Sequence, residues 1–408
     1  MSSSSRHQRE RVIFLIASGL STAGSFAGLT AKGWILMDET SAPMVLALHF
    51  AALSLPTILV SGPAGVRTDR IGCEQVLIQA QWALLGAALL GALAIPVLDG
   101  QAQVLLLLTS TLLVGIAGAY ELTARNKYCA LLVDDNAQLA PYLTSFSVVF
   151  NVGKLVGPLL GGWLVTLTGP AMALTLDAAT YLIPIASVIW LLHPRLDLEQ
   201  RSAPGEQASL RAAWRECGST LRNVVLFTGL MCVVGFFHPG LGPLIAAREL
   251  GNKPMDLALF TSVLALGSIA GGLVLQRNSH RFCRRPSFTL AGFALLTAVA
   301  QLGMAHGGSV SFVLAMTLLI GAGTAGLLSS SNLITQVGSS QILRGRMAGL
   351  GQIAFLGGGG LSGLIAALLT ISVGLQATFA ITGGIGVALA MWEIWRRGDT
   401  VLKEVRSV

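Results

Sequence analysis

The residues of this chain that could do chemistry are few, and most of them interrupt long apolar runs. Lys32 and Lys154 each stand inside such a run, where a charge is costly unless it is paired or faces water. Ser147, Asn151, Lys154 and Pro158 recur at steps of four, three and four, and Ser18, Thr22, Ser25 and Lys32 follow similar spacing, so each set forms one polar helix face. Asp177 is the best available counter-charge for either lysine and a candidate proton carrier. Glu121 and Arg125 are four residues apart and pair on one helix face, with proton transfer by Glu121 as the second reading. His238, followed by Pro239, breaks another apolar run. Proline removes a backbone donor there and histidine titrates near neutral pH, which makes His238 a candidate for proton coupling or ligand contact. Asn332 and Gln336, four apart, and Gln352 complete the candidate ligands.

The elements that position these side chains follow from composition. Of 408 residues, 53% are hydrophobic and 11% charged, whereas soluble domains carry about 25% charged residues. Mean hydropathy is +0.72. A bilayer core needs about 20 apolar residues per helix, and such runs repeat along the chain, too long and too evenly apolar for barrel strands. The spans are predicted near residues 12–36, 43–64, 75–98, 102–124, 141–166 and 170–193, then 222–248, 255–276, 287–306, 309–334, 346–371 and 374–396. The run behind Arg11 is longer than a signal-peptide core and forms the first span. The fold class is therefore an all-α membrane protein.

The net charge of +7 reads as topology, not as nucleic-acid binding. Alternate connections collect the basic residues, among them Arg67, Arg70, Arg125, Lys127, Arg277, Arg284, Arg344 and Arg346, whereas the opposite side receives Arg248 and Lys253. Both termini and the central connector are expected on the cytoplasmic face, which requires an even number of spans. The division is 1–193, a first six-helix bundle; 194–220, a central cytoplasmic loop; and 221–408, a second bundle with its tail. The loop reads as a solvated linker, with a surface helix around 210–217 as the alternative. Five scattered cysteines lack ligand or disulfide spacing, and no metal or cofactor is expected. HExxH, GxSxG, paired carboxylates and a nucleotide-binding loop are all missing from the sequence, which argues against an enzyme or an ATP-driven pump.

The halves echo one another. Gly65, Asp69 and Arg70 after the second span match Gly272, Gln276 and Arg277 after the eighth, and the Gly157–Gly162 cluster of the fifth span matches Gly357–Gly363 of the eleventh. Gly65, Asp69, Arg70 and Gly72 fit the Gly-x-x-x-Asp-Arg-x-Gly-Arg-Arg signature of the major facilitator superfamily, with Cys73 and Glu74 in place of the two final basic residues. Tyr120–Lys127, Val156–Gly162 with Gly157, Pro158 and Gly161, and Arg344-Gly-Arg346 resemble the bacterial exporters of that superfamily that include the enterobactin exporter. The resemblance covers nearly the whole chain.

The resemblance implies twelve helices in two pseudo-symmetric bundles and alternating access around a midplane site. It implies that Asp69 gates the cytoplasmic side by accepting from the N-terminus of helix eleven, that helices one and five line the cavity, and that helix six is peripheral. The Gly-Pro-x-x-Gly-Gly pattern resembles the antiporter motif of drug exporters. If the lysine faces line that cavity, it is cationic and favours an anionic or hydrogen-bond-accepting cargo. The expected function is proton-coupled efflux of a small organic molecule, anionic, siderophore-like or drug-like, by a monomer in the inner membrane. An importer or uniporter of a small metabolite, or a transport-dead ligand sensor, is the alternative.

Overall fold

The computed structural model describes residues 3–133, 136–191, 214–278, 282, 284–339 and 344–397. Expectations that fall on most of the 194–220 connector, on Cys283 and on the side chains of Ser147, Arg344 and Arg346 lie outside the described residues. Twelve helices among the described residues are long and apolar enough to cross a membrane. They are α1 (Gln8–Thr40), α2 (Pro43–Ile71), α3 (Cys73–Val97), α4 (Gly100–Cys129), α5 (Val148–Thr168), α6 (Pro170–Trp190), α7 (Ser219–Glu249), α8 (Pro254–Arg277), α9 (Pro286–Ala305), α10 (Val310–Val337), α11 (Gly349–Val373) and α12 (Leu375–Arg397). Each lies on one of the twelve predicted runs.

Helices form because a backbone in lipid has no water to bond and must satisfy its own donors and acceptors. Prolines open α2, α6, α8 and α9, where the missing N–H is not needed. In α7 the chain breaks at Phe236 and Phe237, between helical segments Ser219–Gly235 and His238–Glu249, so Pro239 falls in the first turn of the second segment. Segments of π-helix occur at Ser187–Leu191 in α6 and Ile353–Gly357 in α11. The distribution of side chains is that of a lipid-immersed protein: Leu59, Trp190 and Trp395 are 78–84% exposed, whereas Lys32, Asp177 and Glu393 are buried.

The chain packs as two compact units. One comprises Met1–Ser41, Leu55–Gly205 and Lys253–Ser262; the other comprises Ala42–Ser54, Glu206–Asn252 and Val263–Val408. Within the first, Ser262 Oγ donates to the Leu155 carbonyl at 2.8 Å and Gly162 lies against Pro254 and Ala258. Within the second, the Phe50 ring stands 6.2 Å from Phe236. These contacts explain why each unit takes in the start of a helix from the other half of the sequence.

Between helices in lipid, attraction comes from close packing and hydrogen bonds, not from exclusion of water. The two glycine clusters supply that closeness at corresponding places. A β-carbon at Gly157 would stand 2.5 Å from the Ala23 carbonyl oxygen, and one at Gly161 would stand 2.5 Å from that of Ala27, so α5 lies directly on α1. In the other unit a β-carbon at Gly358 would stand 2.7 Å from Cys232 Cβ and 2.9 Å from the Gly229 carbonyl oxygen, so α11 lies on α7 in the same way.

Candidate functional site

The α1–α5 contact places both lysines, but in different surroundings. Lys154 stays half-buried on α5, and among the described residues it makes no hydrogen bond or ion pair. Asn151, one turn earlier, has a polar partner of its own. Pro158 is buried. Lys32 is 2% exposed and points into the bundle. Its Nζ donates to Ser110 Oγ of α4 at 2.7 Å, and Ser110 Oγ donates in turn to the Ala87 carbonyl of α3 at 2.6 Å. Asp177 of α6 interacts electrostatically with Lys32, but no ion pair joins them directly, and Asp177 Oδ1 is buried without a hydrogen-bond partner. Room for this arrangement comes from Gly28, which lies under the Asp177 carboxylate, and Gly91, which lies beside the Lys32 ammonium. Ser25 shares a 2.9 Å hydrogen bond with the Tyr181 hydroxyl of α6 and also donates to the Ser21 carbonyl. Lys32 and Ser25 are therefore tied to the interior of the first unit, and Lys154 is not.

At the Arg-rich end of the same unit, Glu121 and Arg125 form the predicted ion pair at 3.0 Å, with side chains only 12% and 10% exposed. Gln81 Nε2 also reaches Glu121, at 3.5 Å, and the guanidinium lies over the Phe146 and Phe150 rings, 5.1 and 5.9 Å from their centres. The Gly65–Gly72 stretch carries the chain from α2 into α3, with Gly72 buried at φ 96° just before Cys73. Gly65 is half-buried and Arg70 exposed. Asp69 accepts from Lys127 at 3.1 Å, a contact within the first unit that links the signature loop to the end of α4. Asp69 is 55% exposed there, so Asp69→Asn is expected to change stability by at most about 1 kcal/mol while slowing transport. Transport undiminished at equal expression would leave Asp69 with only its surface charge.

In the second unit His238 is buried, its ring stacked on Phe237 at 4.4 Å and 6.0 Å from Phe379. Gln301 Nε2 donates to the Gly235 carbonyl at 3.0 Å, and it lies 3.4 Å from His238 Nε2, while His238 Nδ1 has no partner. Asn332 Oδ1 is likewise unpartnered and faces Gly351, whereas Gln336 and Gln352 are exposed. His238 thus belongs to the helix packing of α7, α9 and α12, and of the three amides Asn332 and Gln336 lie on α10 and Gln352 on α11.

Sequence reasoning missed Ser110, Gln301 and Glu393. Glu393 is 2% exposed, accepts from Ser287 Oγ at 2.8 Å and lies 3.7 Å from Arg397. The four-residue step from Glu393 to Arg397 was a usable signal. Ser110 stands between Thr109 and Thr111, and nothing local singles it out from them or marks Gln301, because their importance depends on which helix stands opposite.

Twelve membrane-crossing helices, with α5 seated on α1 and α11 on α7 through corresponding glycines and with charges inside the spans, define a polytopic transporter of the major facilitator fold. A family model described as transmembrane secretion effector matches residues 3–396, and the chain belongs to that family. It is similar to the multidrug efflux pump Tap of Mycolicibacterium fortuitum, with 23% identity over 386 residues that cover 90% of this chain and 91% of the relative. Among solved structures it is similar to a bacterial homologue of the iron transporter ferroportin in an inward-facing state, at 17% identity and TM-score 0.75, covering 98% of this chain and 100% of that one. It is also similar to a bacterial homologue of the human lysosomal transporter Spinster, at 15% identity and TM-score 0.75, covering 97% and 98%. These structural likenesses concern the fold.

Proposed function

We propose that this transporter exports a small organic anion across the inner membrane by alternating access, in exchange for protons, as a monomer with both termini in the cytoplasm. The observation that carries the choice of cargo is Lys154, a half-buried cation on a membrane-spanning helix with no partner among the described residues. A charge at that depth needs water or a ligand of opposite sign, and the first-unit carboxylates already have nearer partners or lie elsewhere: Glu121 with Arg125, Asp69 with Lys127 and Asp177 facing Lys32. The direction is supported by the secretion-effector family, by the efflux relatives and by the Gly-Pro-x-x-Gly-Gly pattern of Gly157–Gly162. The orientation follows from the asymmetry of Lys and Arg among the connections.

Purified protein in proteoliposomes under an imposed pH gradient tests this, with organic anions, catechol-type chelators and lipophilic cations as probes. The expected result is gradient-driven anion movement that falls about 10- to 100-fold in Lys154→Ala, the equivalent of losing one charge-assisted hydrogen bond. Movement of cations that survives the substitution would instead make Lys154 structural and the protein a general drug exporter.

A further inference from the structure

The buried charges of the first unit set one cation, Lys32, near both a hydroxyl and a carboxylate. Lys32 Nζ is held by Ser110 Oγ at 2.7 Å, and Ser110 is itself fixed by the Ala87 carbonyl, so the hydroxyl presents a lone pair to the ammonium. The Asp177 carboxylate lies close enough for the two charges to interact, yet Oδ1 receives no hydrogen bond. Gly28 and Gly91 keep both ends of this space clear: a β-carbon at Gly28 would strike the carboxylate, and one at Gly91 would stand 3.1 Å from Lys32 Cε. The lysine's four-carbon stem is flexible, and its ammonium has three rotatable donors of which Ser110 takes one.

An ionised carboxylate inside a membrane bundle, with no donor on it, is costly. It can be relieved by the ammonium or by a proton. The elements packed on α6 include α1, α3 and α5. The charged or titratable groups facing Asp177 from them are Lys32 of α1 and, one turn along α6 itself, Tyr181, which in turn lies near Glu121 of α4. Among the described residues, no charged side chain of α3 or α5 interacts with Asp177. Glu121 is already occupied by Arg125. The corresponding place in the second unit holds His238 against Gln301, Phe237 and Phe379, with no carboxylate. The second unit's buried carboxylate, Glu393, lies instead near the end of α12 beside Ser287 and Arg397.

We propose that Asp177 is the proton carrier of this transporter and that Lys32 is its positioning residue, its ammonium resting on Ser110 while Asp177 holds a proton and moving onto Asp177 when that proton leaves. This deepens the proton-coupled reading given above and rests on it. The step is balanced: the carboxylate takes one proton from hydronium and leaves water, and the reverse transfer to water is driven by arrival of the ammonium. One proton per cycle follows, because Asp177 is the only carboxyl in the exchange.

Two measurements test it on the intact chain in liposomes. Infrared difference spectra between acid and alkaline pH, recorded without substrate, are expected to contain a carboxylic C=O band that disappears in Asp177→Asn. Absence of any Asp177-dependent band overturns the proposal. With carboxyfluorescein as anionic probe or ethidium as cationic probe, and a pH dye in the lumen, Asp177→Asn is expected to abolish proton movement with the probe, so that any remaining flux follows the probe's own gradient. If wild-type protein moves probe with no protons, the coupled reading itself fails and this proposal with it. If wild type is coupled and Asp177→Asn carries protons at the same ratio, coupling stands but the carrier lies elsewhere. The double variant Lys32→Gln/Asp177→Asn leaves no unpaired charge to impair folding. Proton movement at the wild-type ratio in that variant makes the pair structural only, whereas uncoupled flux supports the assignment.

Discussion

Glu121→Leu is expected to destabilise the first unit by about 3–5 kcal/mol, the range for removing one member of a buried ion pair. The loss is not that of the 3.0 Å contact alone. Arg125 cannot lose its charge and is 9% exposed, so it would remain inside the bundle beside the Phe146 and Phe150 rings. Its Nε already lacks a hydrogen-bond partner, which leaves little to compensate. Thermal unfolding in detergent, followed with a thiol-reactive dye, reads this directly, because Cys73, Cys129, Cys217 and Cys232 are all buried. The double variant Glu121→Leu/Arg125→Met removes both charges and is expected to recover most of the loss. A double variant no better than the single one would mean that the pair contributes through more than mutual neutralisation.

Gly157→Val is the second large effect, expected to cost about 3 kcal/mol or more, at the upper end for overpacking. The obstacle is backbone: the new β-carbon would stand 2.5 Å from the Ala23 carbonyl oxygen and 2.7 Å from Phe26 Cβ, neither of which can rotate away. Separation of α1 from α5 would also disturb the polar faces that carry Lys32 and Lys154. Gly118→Ala on α4 is the matched control, since nothing lies within 4 Å of its β-carbon position. It should be neutral or stabilising by up to about 1 kcal/mol, the helix-propensity difference between the two residues. Equal yields and equal unfolding temperatures for the two variants would contradict the close contact of α1 with α5.

The glycine clusters illustrate how far the sequence could be read. Their recurrence in the fifth and eleventh spans was visible as a pattern, and the structure gives it a cause, because Gly157 and Gly161 lie on α1 and Gly358 and Gly359 lie on α7, the first helix of each half. The Glu121–Arg125 pair was legible for a similar reason: its geometry is set within one helix. Asp69 was legible as a motif residue, but its contact with Lys127 joins two helices and no spacing rule reaches that far. Lys32 shows the limit most clearly. Its depth in a span was evident, and Asp177 was a reasonable counter-charge, yet the hydrogen bond goes to Ser110, the middle of three consecutive hydroxyl residues in α4.

What the sequence by itself determined was the number and placement of the spans, since burial in lipid imposes a length and an apolarity that each helix must meet alone. It determined as well which few charges had to be accounted for, because each stands out against an apolar background. The tertiary structure alone decided how they are accounted for: Lys32 turned inward between Ser110 and Asp177, Lys154 half-buried without a partner among the described residues, and His238 packed against Gln301 and two aromatic rings. The physical reason is that a helix's own periodicity gives the face on which a side chain lies, whereas its partner depends on the rotation and closeness of the neighbouring helix, which here are set by glycine contacts distant in sequence.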